Sequence, residues 1–138
     1  MNRRELQTLT RERVSDARVL LRAGRYSSAY YLAGYAVECA LKAYITRQVR
    51  QHDFPDKKLA NDSYTHDLVR LMTIANLKNE LDDACTHGPT FESNWDIVQD
   101  WSEEYRYNSN ISRDKAHELY GAITRRRTGI ITWLRNYW

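Results

Sequence analysis

The sequence predicts an all-α protein, an up-and-down bundle of four long helices plus a short helix. Three observations carry this. Apolar residues recur at three- and four-residue spacing along most of the chain, the period of one helix face. Stop and start residues fall between those segments rather than inside them. Gly and Pro number only five and two in 138 residues, too few turn formers for a many-stranded sheet.

The first helix is expected over residues 2–23. Leu6, Leu9, Val14, Ala17, Leu20 and Leu21 fall near one stripe, arginines fill much of the rest, and Gly24 supplies the stop. The second runs from about Tyr26 to Arg50. Its core stripe is Tyr26, Ala29, Tyr30, Ala33, Val37, Ala40, Leu41 and Tyr44, and Tyr31, Tyr35, Glu38, Lys42 and Ile45 make another stripe. Residues 52–64, "HDFPDKKLANDSY", have no period and read as a loop. Thr65, His66 and Asp67 then start a helix carrying Leu68, Leu71, Met72 and Ala75, with Asp67 suited to the positive N-terminus. A weaker piece covers roughly 77–86 and is broken by His87, Gly88 and Pro89. Thr90 is expected to cap the next helix, striped by Phe91, Trp95, Val98, Trp101 and Tyr105. After the polar "RYNSNIS", Ser112 caps a last helix running close to the end, with Ala116, Leu119, Tyr120, Ile123, Ile130, Leu134 and Tyr137 inward. No repeat, low-complexity tract or linker divides the chain, so residues 1–138 are expected to form a single domain.

Charge is unevenly placed. Residues 1–25 hold seven Arg against three acids, and residues 106–138 hold seven bases against two acids. Between them, residues 91–105 carry five acids and no base. Basic ends suit nucleic acid phosphates; equally, basic helices lying beside the acidic one would neutralise each other within a bundle. Cys39 and Cys85 have no metal-like spacing and follow no secretory leader, which points to a reducing cytoplasm. No Walker loop, His-Glu-x-x-His or zinc-type cysteine pair is present, so neither a metal nor another cofactor is expected.

Residues 30–45, "YYLAGYAVECALKAYI", are almost unbroken apolar sequence, interrupted only by Glu38 and Lys42. The stretch is too short and too charged to span a membrane. A solvated pair of this kind adds only about 0.3–0.5 kcal/mol, so stability does not explain it. Either the pair sits on an ordinary solvated flank, or its stripe lines a wet groove or an interface with a second copy.

The order "LLRAGRYSSAYYLAGYAVECALKAYI", then "THDLVRL", then "WSEEYRY" before a basic last helix resembles the HEPN superfamily, from about Leu20 to Trp133. "AVECALKA" and "THDL" are the most specific parts. The resemblance implies a helical bundle related to the C-terminal domain of kanamycin nucleotidyltransferase, generally dimeric, and found alone or beside a minimal nucleotidyltransferase. It implies binding of RNA or nucleotides. Many members are metal-independent endoribonucleases in toxin–antitoxin or phage-defence systems.

Active members place an Arg, often followed by a polar residue, with four to six residues between it and a His, at the start of the last long helix. Arg113 and Asp114 fit that pattern, but only three residues separate Arg113 from His117. The pair still shares a helix face, Arg113 as phosphate clamp and His117 as general acid/base. Arg47 and His52 have the formal spacing but sit at the end of the second helix, where it reads as coincidence. Arg106 and Tyr107 resemble the Arg-Tyr pair of nucleotidyltransferase-associated members without nuclease activity; a salt bridge from Arg106 to Glu103 or Glu104 is the plainer reading. The run at 125–127 reads as a solvated face or an RNA-backbone contact. Three functions stay open. The first is a homodimeric RNA-, nucleotide- or partner-binding module using Glu38, Lys42, Arg106 and Tyr107, with Arg113 and His117 in the same groove. The second is a ribonuclease built on Arg113 and His117. The third is a structural partner of a separately encoded nucleotidyltransferase.

Overall fold

The computed structural model describes residues 1–51 and 57–138, and His52 therefore lies outside the described residues. α1 (Arg3–Arg22) opens with a capping box, in which Asn2 and Glu5 each accept the other's backbone N–H at 2.9 Å. It closes at Gly24, where φ is +75°. There the Arg25 and Gly24 N–H groups reach back to the Leu20 and Leu21 carbonyls at 2.8 and 3.1 Å, a Schellman closure that favours glycine. α2 (Tyr26–Gln51) follows at once. Both helices sit within a residue of the expected bounds.

Downstream, several boundaries differ. α3 (Lys57–Asp62) forms inside the stretch expected to be a loop. α4 (Leu68–Ile74) is capped by Asp67, whose carboxylate accepts the Arg70 N–H at 3.1 Å, and α5 spans Lys78–His87. α6 (Pro89–Gln99) begins with Gly88 as cap and Pro89 in the first turn, not with Thr90, because proline has no N–H to lose there. It stops at Gln99. Trp101 therefore lies in the connection, and Tyr105 falls in a 3₁₀ helix over Glu103–Tyr107. The final helix is two: α7 (Arg113–Thr124), capped by Ser112, and α8 (Ile130–Leu134). The turn between them is held by Thr132 donating to the Arg125 carbonyl at 2.8 Å and buried Asn94 donating to the Thr128 carbonyl at 2.9 Å.

α2 is the axis of the bundle, packed against α1, α4, α7, α8 and the 3₁₀ helix. Its small residues Ala29, Ala33, Ala36, Ala40 and Ala43 are all buried, which lets neighbouring backbones come close. The apolar core is continuous, drawing Leu6 from α1, Leu41 from α2, Leu71 from α4, Val98 from α6, Leu119 from α7 and Ile131 from α8. Arg3 and Gln7 donate to the Trp138 carbonyl, Gln7 at 2.8 Å. Arg47 donates to the Tyr137 carbonyl, so this arginine ties α2 to the C-terminal segment. Among the described residues, no helix is long and apolar enough to cross a membrane.

Candidate functional site

Glu38 faces the interior, only 2% exposed. Its Oε1 accepts from Lys42 Nζ at 2.9 Å, one helical turn on, and lies 2.7 Å from His66 Nδ1. His66 also places Nε2 at 3.1 Å from Glu103 Oε2. One imidazole thus joins α2, the start of α4 and the 3₁₀ helix. Ionised carboxylates only accept, so both contacts are hydrogen bonds when each ring nitrogen carries a proton. Glu38 Oε2 is buried with no hydrogen-bond partner among the described residues. Such an atom costs about 1–3 kcal/mol, more than the Glu38–Lys42 pair returns. The pair is therefore neither a solvated flank nor a simple stabiliser.

One turn before Glu38, Gly34 makes room for Trp101. A Cβ at Gly34 would stand 2.3 Å from the indole ring, so only glycine admits it. Tyr31 stacks on the outer side of this cluster, its ring 6.0 Å from Trp101 and 6.1 Å from Tyr35. The Trp101 Nε1 is also buried without a hydrogen-bond partner among the described residues. Burial pushes the Tyr35 hydroxyl up to about 12 and the Cys39 thiol up to about 11; both stay neutral near pH 7.

The 3₁₀ helix then forms one wall of a cleft of about 360 Å³. Ser27, Ser28, Tyr31 and Leu32 of α2 face Tyr105, Arg106, Tyr107, Asn108 and Ser109 across it. Tyr105 anchors this wall: its ring meets Tyr30 edge-on at 4.8 Å and its hydroxyl accepts from Lys115 at 3.2 Å. Ser27 Oγ accepts the Ile111 N–H at 3.1 Å, fixing the connection to α7. Among the described residues Arg106 carries no ion pair to Glu103, which is turned to His66, or to Glu104; its guanidinium lies 4.7 Å from the Tyr107 ring centre instead. Both residues are exposed, and the α2 first turn beside them has no acid. The cleft is suited to a planar, anionic ligand.

Arg113 and His117 are exposed on the outer face of α7, four residues apart. The His117 ring is 6.2 Å from that of Tyr26. Tyr26 and Arg25 border a shallow depression with Ser27, Ser28 and Ser109, which also border the Arg106–Tyr107 cleft on one or the other side. The expected residues therefore form three groups. Glu38 is internal with half-buried Lys42 beside it, Arg106 and Tyr107 line the cleft, and Arg113 and His117 stand beyond it on α7. No group of three or more His, Cys, Asp or Glu among the described residues is placed to hold a metal.

A HEPN domain model matches residues 8–125. The chain belongs to the HEPN family. Comparison with curated proteins and with solved structures returns no match. In this HEPN domain the matched segment runs from α1 to the end of α7, so it contains the Glu38–His66–Glu103 bridge, the cleft and the Arg113–His117 pair. Sequence reasoning favours a helix-start role for His66 over a catalytic one. It misses the bridge because Glu38, His66 and Glu103 are far apart in the chain, and nothing local marks a contact between them. Ser27 and Ser28 are missed for a simpler reason: small polar residues at a helix start look like ordinary capping chemistry.

Proposed function

We propose that this HEPN domain is a homodimeric binding module that engages RNA or a nucleotide at the cleft between the start of α2 and the 3₁₀ helix. One observation carries the reading: Arg106 and Tyr107 are exposed and held together over a cleft whose floor is Tyr31, Ser27 and Ser28. A base stacks on a tyrosine ring, and the guanidinium fork with serine hydroxyls suits a phosphate. Glu38, Lys42 and His66 set the position of the 3₁₀ wall through Glu103 rather than touching the ligand. Service in a toxin–antitoxin or phage-defence pair, with a separately encoded nucleotidyltransferase as partner, fits this reading. So does a single domain over residues 1–138.

The test is binding of a labelled single-stranded RNA and of ATP, measured by anisotropy and calorimetry beside sedimentation. Replacing Arg106 and Tyr107 together by Ala should weaken binding by about tenfold or more, since one base stack is worth about 1–3 kcal/mol. Unchanged affinity would overturn the cleft.

A metal-independent ribonuclease is the second reading, favoured by the exposure of Arg113 and His117 on one helix face. In a dimer two such pairs would meet, imidazole moving the 2′-hydroxyl proton and guanidinium steadying the phosphate. Cleavage of an RNA pool in EDTA, lost in His117→Ala, would establish it. Absence of cleavage leaves the binding module.

A further inference from the structure

α1 carries a row of side chains that neither the core nor the cleft uses. Arg4, Thr8, Arg11, Ser15, Arg18 and Arg22 follow one another at alternating four- and three-residue steps, and all are exposed. That spacing places them on one stripe of the helix. Exposed Arg25 follows where the chain turns into α2. The stripe contains no acid. The three acids of α1 are occupied elsewhere: Glu5 closes the capping box, while Glu12 and Asp16 pair with Arg13 at 3.6 and 3.1 Å. Among the described residues, no ion pair engages Arg4, Arg18, Arg22 or Arg25, and Arg11 lies over the Trp138 ring at 5.4 Å.

Such a row does not serve the helix. Like charges one turn apart, as at Arg18 and Arg22, oppose each other, and the C-terminal dipole accounts for Arg22 alone. Nor do the acids of residues 91–105 neutralise it within the chain, because no ion pair joins the two sets among the described residues.

We propose that this arginine row is a docking track for the phosphodiester backbone of a nucleic acid. Every cation on it is arginine, whose fork matches phosphate oxygens in pairs, and Thr8 and Ser15 add hydroxyl donors between the guanidinium groups. From Arg4 to Arg22 the row is about 27 Å long at the α-helical rise, and it is rigid. The acidic face of a second copy fits it less well. Glu92 to Asp100 covers only about 12 Å at the same rise, and Asp100 and Glu103 already face Lys115 and His66. An anionic membrane is also disfavoured: the row itself is polar, and the large apolar side chains exposed on or just before α1 among the described residues are Val19 and Met1, too little to anchor the helix in lipid. At its far end Arg25 borders the depression next to the cleft, so a bound strand would run toward Tyr26 and His117. The track stands on α1 alone and goes beyond the cleft reading.

The experiment is anisotropy of a labelled RNA duplex two helical turns long, titrated with the full chain across a KCl series. Four phosphate contacts give a slope of log K against log salt of about −3 to −4. Replacing Arg4, Arg18 and Arg22 together by Gln should flatten that slope by about 2–3 and cost at least about tenfold in affinity at low salt. The matching Lys triple should keep the slope. These positions are exposed, and circular dichroism would show the fold intact. A Gln triple with the parent's slope and affinity overturns the track. So does a triple whose altered property is self-association by sedimentation, or a parent chain that binds phosphatidylglycerol vesicles but not the duplex. Arg106→Ala with Tyr107→Ala separates the two proposals: loss there with a normal Gln triple rejects the track and keeps the cleft, and the converse rejects the cleft alone.

Discussion

Glu38 shows how one buried carboxylate ties distant segments of the chain together. Its Oε1 serves Lys42 and His66 while Oε2 is unsatisfied, so as a stabilising device it is poor. Two substitutions separate its roles. Glu38→Ala removes the shared acceptor and leaves a small void, and should lower unfolding free energy by about 1–3 kcal/mol. Glu38→Met fills the void and leaves no buried charge. Lys42 and His66 side chains are 22% and 45% exposed and turn to water, so this variant should stay within about 1 kcal/mol of the parent. It should nonetheless lose the His66–Glu103 placement of the cleft wall and weaken ligand binding. Urea melts beside the RNA titration check this. A Met variant as unstable as the Ala variant, with binding intact, would make the carboxylate purely structural.

Elements are where the sequence was most legible and where its limits are clearest. α1 and α2 are long, strongly periodic and separated by a glycine in the left-handed region, so their bounds followed from pattern alone. The stripe through Phe91, Trp95, Val98, Trp101 and Tyr105 misled for a physical reason. Trp101 is buried and Tyr105 half-buried, as the period requires, but both reach the core from non-α backbone after Gln99. Periodicity reports burial, not the backbone that delivers it. The same holds at residues 125–129, where Ile123 and Ile130 are both buried across a turn. The site divided likewise. Arg106, Tyr107, Arg113 and His117 were legible as exposed residues of known chemistry, whereas the bridge from Glu38 to Glu103 depends on tertiary placement. The junction between α2 and this segment gives its own prediction. Gly34→Ala would gain about 1 kcal/mol of helix propensity. Its Cβ would stand 2.3 Å from a buried indole, and overpacking of that kind costs about 1–3 kcal/mol. The clash should win, giving net destabilisation in urea and a shifted tryptophan emission spectrum as Trp101 lifts off α2.

For the molecule as a whole, the three groups whose pKa values are raised furthest, Tyr30, Tyr35 and Cys39, lie along its central helix. Burial holds the Cys39 thiol up to about 11 and the Tyr35 hydroxyl up to about 12, and Tyr30 is pushed higher still by burial and the neighbouring Tyr105. Each is an acid whose neutral form the fold prefers. The unfolded chain releases these protons at lower pH, so the folded state binds more protons as pH rises and loses stability with each unit. The contribution is complete below the ordinary thiol value of 9.0 and declines as pH climbs toward 11 and 12. For Cys39 the shift corresponds to about 2–3 kcal/mol, and Tyr35, being partly exposed, adds less. The melting temperature should therefore be level from neutral pH to about 9 and then fall steeply. Lysine deprotonation is superimposed on that fall, and Cys39→Ala isolates the thiol share: it should flatten the segment between pH 9 and 11 relative to the parent, whatever it does to stability at pH 7. If the two profiles stay parallel there, the thiol does not titrate against the fold, and the α2 core admits water more freely than its packing indicates.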